Sequence, residues 1–345
     1  MKLVRPFSVT SISSSGVYET PPATYNAGTT YAAGADVTTY SGKTGTVYRS
    51  LQASNTGNTP SSSPLWWEAL GTVYAAWAGG TTYALDDIAA NFTTHKLYQS
   101  VVGGNIGNDP TTDDGTNWLE LGPTNLWAMF DQKTGTQTEW LEEIAVTIDL
   151  TGRIDTIGLL NLTGSAVNIT MMDGATELHN EDYSLISTEG ISSLYAYFYE
   201  PLSYMTDLVV QDLPIDGDLE ATITLTGAST VKIGNLVFGF GVEIGGAQYG
   251  ARAGITDFSR ITADDFGNYQ IVQRGYAKVA DLVVWLDAAD HNFVFNLLAE
   301  YRATPVLMIG ADDYTPLIQY GLLKDWRVAF TYPSHSVLDL QFQGI

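Results

Sequence analysis

Beyond Pro123 the chain alternates hydrophobic and polar residues with a period of two. The clearest runs lie at 144–150, 167–171 and 221–225, and a continuous apolar run follows at 236–238. Because successive side chains of a strand point to opposite faces of a sheet, this period predicts half-buried β-strands. Gly, Asp and Asn interrupt the runs, a spacing typical of a β-sandwich. We therefore predict a jelly-roll-like β-sandwich over residues 123–244.

Residues 245–345 combine apolar runs with one helical pattern. The runs 283–286 and 306–309 and the alternating segments 326–332 and 338–342 predict further strands. Four apolar residues recur at the spacing of one helix face: Val294, Leu297, Leu298 and Tyr301. Asp290 is the candidate N-cap of this helix, and Pro305 marks its end. We expect a β-rich domain with one helix packed on its sheet.

Two segments ahead of Pro123 repeat each other. Residues 28–32 (Gly-Thr-Thr-Tyr-Ala) return as 80–84 at an offset of 52, and Asn-x-Gly-Asn-x-Pro of 55–60 returns as 105–110 at an offset of 50. Trp67 matches Trp118 at an offset of 51. Each unit is too short for a large core, so aromatic side chains should dominate the core while Gly, Asn and Pro supply tight turns. We predict two small modules of short β-strands.

These patterns together predict a mainly β protein in five parts. An N-terminal arm covers 1–24, the two small β modules cover 25–71 and 77–122, and the β-sandwich covers 123–244. The β-rich domain with one helix covers 245–345.

Composition narrows the classes of function. Of 345 residues, 45% are hydrophobic and only 15% are charged, which predicts a folded protein with a mostly neutral polar surface. Thirty-eight acidic against 15 basic residues give a net charge of -23, which disfavours binding to nucleic acid and to anionic lipid. Cysteine is absent, so the chain has no disulfide and no thiolate ligand. No apolar run resembles a signal region or approaches about 18 residues, so we expect no secretory signal and no membrane insertion.

The sequence lacks familiar signatures of catalysis and of metal binding. Nucleophile-elbow, zinc-protease and phosphate-loop motifs do not occur, and the four histidines are scattered: His95, His179, His291 and His335. We interpret the adjacent carboxylates as solvated loops rather than as a glycosidase pair: Glu142-Glu143, Asp264-Asp265 and Asp312-Asp313. An oxygen-rich loop lacks the rhythm of a known calcium loop: Asp109, Asp113, Asp114 and Asn117. We predict a non-enzymatic protein without catalytic residues, metal or cofactor.

The aromatic residues are the strongest indication of a binding surface. Trp66 and Trp67 are neighbours, and in a strand such a pair points to opposite faces. Because the repeat matches Trp67 to Trp118, we assign these two to module cores and Trp66 to the exterior. An exposed indole stacks on the apolar face of a sugar ring. The predicted ligand-binding residues are Trp66, Tyr40 and Phe92.

The order of these residues resembles the small carbohydrate-binding modules of the chitin-binding type, families 5 and 12. The first unit carries the family pattern as Tyr31, Asp36-Val37, Tyr48, Pro60 and Trp67. The second carries it as Tyr83, Asp87-Ile88, Tyr98, Pro110 and Trp118. The resemblance covers 25–122 and implies glycan binding. The family usually places a ligand-stacking Trp shortly after the second Tyr, where this chain has Leu51-Gln52-Ala53 and Val101-Val102.

The whole layout resembles structural proteins of tailed bacteriophages. There, paired modules of this type precede Gly-Pro-Thr-Asn-x-Trp-x-Met-Phe-Asp, here 122–131, and a later Gln-Tyr-Gly, here 248–250. The resemblance implies a homo-oligomeric virion protein of the distal tail or a tail fibre, made in the bacterial host cytoplasm. It would bind host-surface polysaccharide and dock to other tail proteins through 245–345. Two alternatives stay open: a purely structural tail assembly protein with non-binding modules, and a glycan depolymerase.

Overall fold

The computed structural model of this chain describes residues 1–187, 191, 193–199, 201–263, 266–311, 314–330 and 332–345. Over these residues the protein is mainly β, as the sequence predicts, with several antiparallel sheets, one of them a curled half-barrel. The described part contains 25 strands and two α-helices. It also contains three short 3-10 helices: Pro60–Ser62, Ala128–Phe130 and Thr315–Leu317.

The N-terminal arm is an integral part of the fold. It contributes strand β1 (Lys2–Pro6) and the short strand β2 (Ser14–Ser15). β1 pairs on one side with Asn235–Glu243 and on the other with Val306–Ile309. Because both of its edges are paired and Leu3 and Val4 are fully buried, β1 is a central strand of the large sheet.

Each repeated unit forms its own three-stranded antiparallel sheet, as expected for two small β modules. The first consists of β3 (Asp36–Ser41), β4 (Thr44–Ser50) and β5 (Trp67–Tyr74). The second consists of β6 (Ile88–Asn91), β7 (Lys96–Ser100) and β8 (Trp118–Pro123).

The middle segment forms a five-stranded sheet and part of a larger one. Its elements are β9 (Thr138–Thr151), β10 (Thr156–Leu160), β11 (Ala166–Asp173), β12 (Thr176–Ser184), β13 (Ile186–Ser187), α1 (Leu194–Tyr199), β14 (Ser203–Tyr204), β15 (Leu208–Val210), β16 (Asp218–Ile233) and β17 (Asn235–Glu243). The five-stranded sheet has the order β12-β11-β16-β9-β2. Its predicted alternation is confirmed, since Ile144, Val146, Ile148 and Leu150 are all buried on β9.

The last segment contributes most of the large sheet. Its elements are β18 (Gly246–Ala247), β19 (Arg252–Asp257), β20 (Arg260–Ala263), β21 (Tyr269–Val272), β22 (Tyr276–Asp287), α2 (His291–Glu300), β23 (Val306–Ile309), β24 (Ile318–Ala329) and β25 (His335–Gly344). The predicted helix is confirmed in α2, where Val294 and Leu298 are buried. Asp290 does occupy the N-cap position, but its side chain makes no capping hydrogen bond.

The large sheet joins parts of the chain that the sequence suggested as separate domains. Its strand order is β15-β10-β17-β1-β23-β24-β25-β22-β18, with β19 also pairing with β22. Strands from the arm, from 123–244 and from 245–345 are therefore hydrogen-bonded in one sheet. The suggested boundary at 244/245 falls within this sheet rather than between two sheets.

Alternation along the strands of the large sheet separates its two faces. On β1, Leu3 joins the core that contains α2, whereas Val4 joins a smaller core with Leu307 and Tyr320. A cavity on this second face is lined by Leu160 near one end of the strand order and by Lys278 near the other. The two ends of the sheet thus curl toward each other, and the face of Val4 is the concave one.

Candidate functional site

Each module is built around an indole ring. Trp67 and Trp118 are only 2% and 3% exposed, which confirms their assignment to the module cores. The Tyr31 ring lies 5.2 Å from the Trp67 ring at 71°, and the Tyr83 ring lies 5.0 Å from the Trp118 ring at 72°. These edge-to-face pairs have almost the same geometry, so the sequence repeat is also a repeat of side-chain packing.

A buried polar network also repeats in the two modules. The side-chain amide of Asn55 donates to the Ser50 hydroxyl at 2.9 Å, and that of Asn105 donates to the Ser100 hydroxyl at 3.1 Å. All four side chains are buried. Because a buried polar group without a partner is costly, the network fixes the loop that follows the second strand of each module. The sequence comparison matched the asparagines but did not single out the serines.

Trp66 lies in a turn and not in a strand. Its backbone N–H donates to Ser63 at 3.0 Å, and its carbonyl accepts from the Leu51 N–H at 2.9 Å. The side chain is half-buried, so the expectation of a largely exposed ring is wrong. The alternation rule fails here because β5 begins only at Trp67.

In the second module Asn117 occupies the position of Trp66. The Asn117 carbonyl accepts from the Val101 N–H at 3.0 Å and from the Asn105 side chain at 3.2 Å, as the Trp66 carbonyl accepts from Leu51 and Asn55. The two modules therefore share a core but differ at this surface position.

The three predicted ligand-binding residues do not form one surface. Tyr40 is exposed near the β3–β4 turn, whereas Trp66 adjoins the opposite end of the same sheet, where Ser50 pairs with Trp67. At about 3.3 Å per residue, these two ends of β4 lie about 20 Å apart. Phe92 is half-buried in the β6–β7 turn of the other module. The sequence could not place them because strand direction decides which end each residue reaches.

The first module is held tightly to the rest of the protein. The Asp36 carboxylate accepts two bonds of 2.9 Å from the Arg49 guanidinium and one of 2.9 Å from the Tyr18 hydroxyl in the arm. Trp140 of β9 packs directly against Gly71 of β5. Val47, Leu70 and Val73 also join the core of the five-stranded sheet.

The second module is attached through a largely buried carboxylate. Glu19 of the arm accepts bonds from Thr124 at 2.7 Å and from the Trp127 indole at 3.2 Å, and it pairs with Nδ1 of His95 at 2.9 Å. The imidazole of His95 stacks on the Trp127 ring at 3.9 Å. His95 lies just before β7, so the β6–β7 turn of the second module is fixed to the arm.

The candidate calcium loop uses its carboxylates internally. Asp113 accepts bonds from the Asn117 side chain at 2.7 Å and from the Gly115 and Trp118 N–H groups at 2.9 and 3.0 Å. Desolvation raises the pKa of Asp113, but these hydrogen bonds outweigh it and lower the pKa to about 2. Within the described ranges no three His, Asp or Glu side chains converge to hold a metal ion.

The adjacent carboxylate pairs do not present a catalytic arrangement where the structure describes them. Glu142 and Glu143 are exposed on β9, next to a β-bulge at which Glu142 has a positive φ of 62°. Asp264-Asp265 and Asp312-Asp313 lie outside the described residues.

The concave face of the half-barrel borders two openings that the sequence did not suggest. Lys278 of β22 forms an ion pair with Asp207, just before β15, and so bridges the two curled ends of the sheet. Lys278 and Asp207 line both a cavity of about 280 Å³ and a separate opening of about 630 Å³. Burial, and to a smaller extent the Asp131 carboxylate, raises the pKa of Tyr320 in this cavity to about 12.

None of the helices in the described part is long and apolar enough to cross a bilayer. Comparison with protein families, with curated proteins and with solved structures found no match for this chain.

Proposed function

We propose that this chain is a bacteriophage virion protein of the distal tail or of a tail fibre, a non-catalytic homo-oligomer. Its first module binds a host-surface glycan, and its larger sheets dock to other tail proteins. The proposal starts from the sequence resemblance, and one structural feature supports its binding part.

That feature is an apolar platform at one end of the first module, formed by Leu51, Gln52, Leu65 and Trp66. Leu65 is 79% exposed, Leu51 is exposed and Trp66 is half-buried. The Gln52 side-chain amide donates to the Leu65 carbonyl at 2.8 Å, which holds the two chain segments together. An indole beside apolar side chains and an amide suits a sugar ring, since the ring presents an apolar face and hydroxyl edges.

The position of this apolar platform agrees with the family resemblance. The family places its stacking Trp shortly after the second Tyr, where this chain has Leu51-Gln52-Ala53. In the structure the Leu51 N–H donates to the Trp66 carbonyl, so Trp66 adjoins that position from the turn before β5. The indole missing from the usual place is thus supplied nearby.

The purely structural alternative has support in the second module. There, Val101 and Asn117 occupy the positions of Leu51 and Trp66, and the corresponding surface has no indole. A module that retains its core without that ring serves as a spacer or a packing unit. Only the first module is therefore proposed to bind glycan.

The substitution Trp66→Ala tests the proposal. It removes the stacking surface but keeps the backbone carbonyl that the module core uses. We expect retention of purified protein on host-surface polysaccharide to fall by about tenfold or more, and adsorption of assembled particles to slow. Tyr40→Ala is the matched control, because it removes an aromatic ring from the opposite end of the same module.

Adsorption should be compared between particles matched for tail completeness. Equal adsorption of Trp66→Ala and wild-type particles would favour the structural alternative. Equal losses with Trp66→Ala and Tyr40→Ala would show that the apolar platform is not the binding surface. Release of reducing ends by the purified protein, abolished by one Asp or Glu substitution, would establish a depolymerase.

A further inference from the structure

A two-stranded ribbon extends from the large sheet between β19 and β22. We call residues 252–276 the ribbon arm. Strands β20 and β21 at its outer end pair only with each other, and the described side chains from Arg252 to Tyr276 include none that is buried. Such a ribbon buries too little surface to be stable by itself in water. Since none of its described side chains is buried, no other part of the described chain covers the ribbon arm.

The ribbon arm has one apolar face. The register sets Ile261 opposite Ile271 and Ala263 opposite Tyr269, and residues two apart on a strand share a face. Ile261 and Ile271 are 65% and 67% exposed, and Tyr269 is exposed as well. The opposite face carries Arg260, Thr262, Gln270 and Val272. An amphipathic ribbon with its apolar face in solvent is typical of an interaction surface.

A second exposed apolar segment lies in the connection of a hairpin that reaches the base of the ribbon arm. In helix α1, Leu194 and Phe198 are one turn apart, and both are strongly exposed. The hairpin β13–β14 flanks this helix, and its residue Tyr204 lines the opening of about 630 Å³. Ile255 and Tyr276, at the base of the ribbon arm, line the same opening. The hairpin β13–β14 and the base of the ribbon arm therefore line one opening.

The charges of the ribbon arm differ from those of the rest of the chain. The arm contains three arginines and three aspartates, so the other 12 basic and 35 acidic residues carry the whole net charge of -23. Among the described residues, Arg252, Arg260 and Arg274 form no ion pair. These guanidiniums are available to carboxylates outside their own chain.

We propose that the ribbon arm docks onto a second copy of this chain. Its apolar face is covered in that contact, and Arg252 and Arg274, near the base of the ribbon, meet carboxylates of the acidic partner copy. A second copy fits because the body of this chain supplies the complementary negative charge. Since the arm and the acidic body are different surfaces, the contact is head-to-tail and builds a ring or a filament. This inference rests on the homo-oligomeric part of the proposed function and is independent of glycan binding.

Sedimentation of the full chain tests the inference. Wild-type protein should associate between about 1 and 100 µM, at about 0.15 M salt. The double variant Ile261→Thr/Ile271→Thr keeps β-branched residues in both strands but removes the apolar face, and it should weaken association by about tenfold or more. Gln270→Thr is the matched control, because it places a Thr in the same ribbon on the opposite face.

The arginines are tested by Arg252→Gln/Arg274→Gln, which should also weaken association. The melting temperatures of all variants should match wild type, since the substituted side chains are exposed. A monomeric wild-type chain at the highest concentration would overturn the inference, as would equal association of the two double variants and the control. Unchanged glycan retention by Trp66→Ala, with wild-type association as expected, would overturn the glycan proposal and leave the ribbon-arm contact in place, so the two proposals fail separately.

Discussion

At the scale of single residues, the modules depend on buried polar groups as much as on aromatic rings. The repeated spacing of Asn55 and Asn105 was visible in the sequence, and their burial explains it. A carbonyl, a hydroxyl and an amide meet in each module at a point that water does not reach. Such a network has one low-energy arrangement, so it specifies the loop more strictly than apolar packing alone.

Asp113 should make the stability of the second module depend on pH. Hydrogen bonds hold its pKa at about 2 in the folded chain, whereas an unfolded Asp titrates near about 3.9. A lowered folded pKa stabilises the fold above the unfolded value, and this contribution is lost as pH falls toward 2. We expect Asp113→Ala to cost about 1 kcal/mol at pH 7, a small value because the loop is largely exposed, and much less near pH 2.

Urea unfolding of wild-type and Asp113→Ala protein between pH 7 and pH 2 measures this difference. Asp114→Ala is the matched control, since the Asp114 carboxylate bonds only to Thr116 of its own turn. A difference between wild type and Asp113→Ala that does not change with pH would contradict the assignment.

At the scale of elements, both modules contain the same β-bulge, but its extra residue has a different environment in each. The register shifts between Val47 and Tyr48 in the first module and between Leu97 and Tyr98 in the second, and each shift leaves one extra leucine on the third strand. The extra Leu70 is buried against the five-stranded sheet, whereas Leu121 is exposed. The same β-bulge is therefore a docking element in one module and a free surface in the other.

Gly71 is the tightest contact in this docking. A methyl group there would fall well within contact distance of the Trp140 ring. Since both lie in packed strands, neither can move freely, and we expect Gly71→Ala to destabilise the protein by about 2 kcal/mol. Gly103→Ala is the matched control, because no atom lies within 4 Å of its added carbon. Chemical denaturation of the two variants should separate them, and equal midpoints would show that the module is not held by this contact.

The sequence predicted elements well wherever one of their faces is buried. The strands at 144–150 and 167–171 and helix α2 carry clear hydrophobic periods, and the structure has them. Helix α1 and the outer strands of the ribbon arm were not predicted, since their apolar residues face solvent and leave no inside–outside pattern. The platform residue Trp66 was identified, but its partners Leu51 and Leu65 were not, because they come together only through the fold.

At the scale of the whole molecule, the large sheet connects the arm, the middle segment and the last segment by hydrogen bonds between strands. Alternation predicted its strands but not their order, because pairing between distant segments leaves no local trace in a sequence. The suggested boundary at 244/245 came from a change in the hydrophobic pattern of the sequence. However, β17, which precedes the boundary, and β22, which follows it, belong to one sheet.

The Lys278–Asp207 ion pair should stabilise the curvature of the large sheet. Asp207 is largely buried, so Lys278→Ala leaves a carboxylate without its counter-charge and should cost about 2 kcal/mol. Hydrogen exchange should then quicken first in β10 and β15, which lie at that end of the sheet. Lys324→Ala, at an exposed lysine without an ion pair among the described contacts, is the matched control. Unchanged exchange in β10 and β15 would show that the curl is maintained without the pair.

The central place of β1 has a consequence for the order of synthesis. Its neighbours are Asn235–Glu243 and Val306–Ile309, so β1 waits for partners that are made much later along the chain. The strands of each module are close together in sequence. Because local contacts form early, the two modules can fold during translation. Until β23 emerges, Leu3 and Val4 have no core to enter, and the nascent chain presents an unpaired apolar strand. A chaperone that binds such strands would therefore act on β1 in the interval before β23 is made.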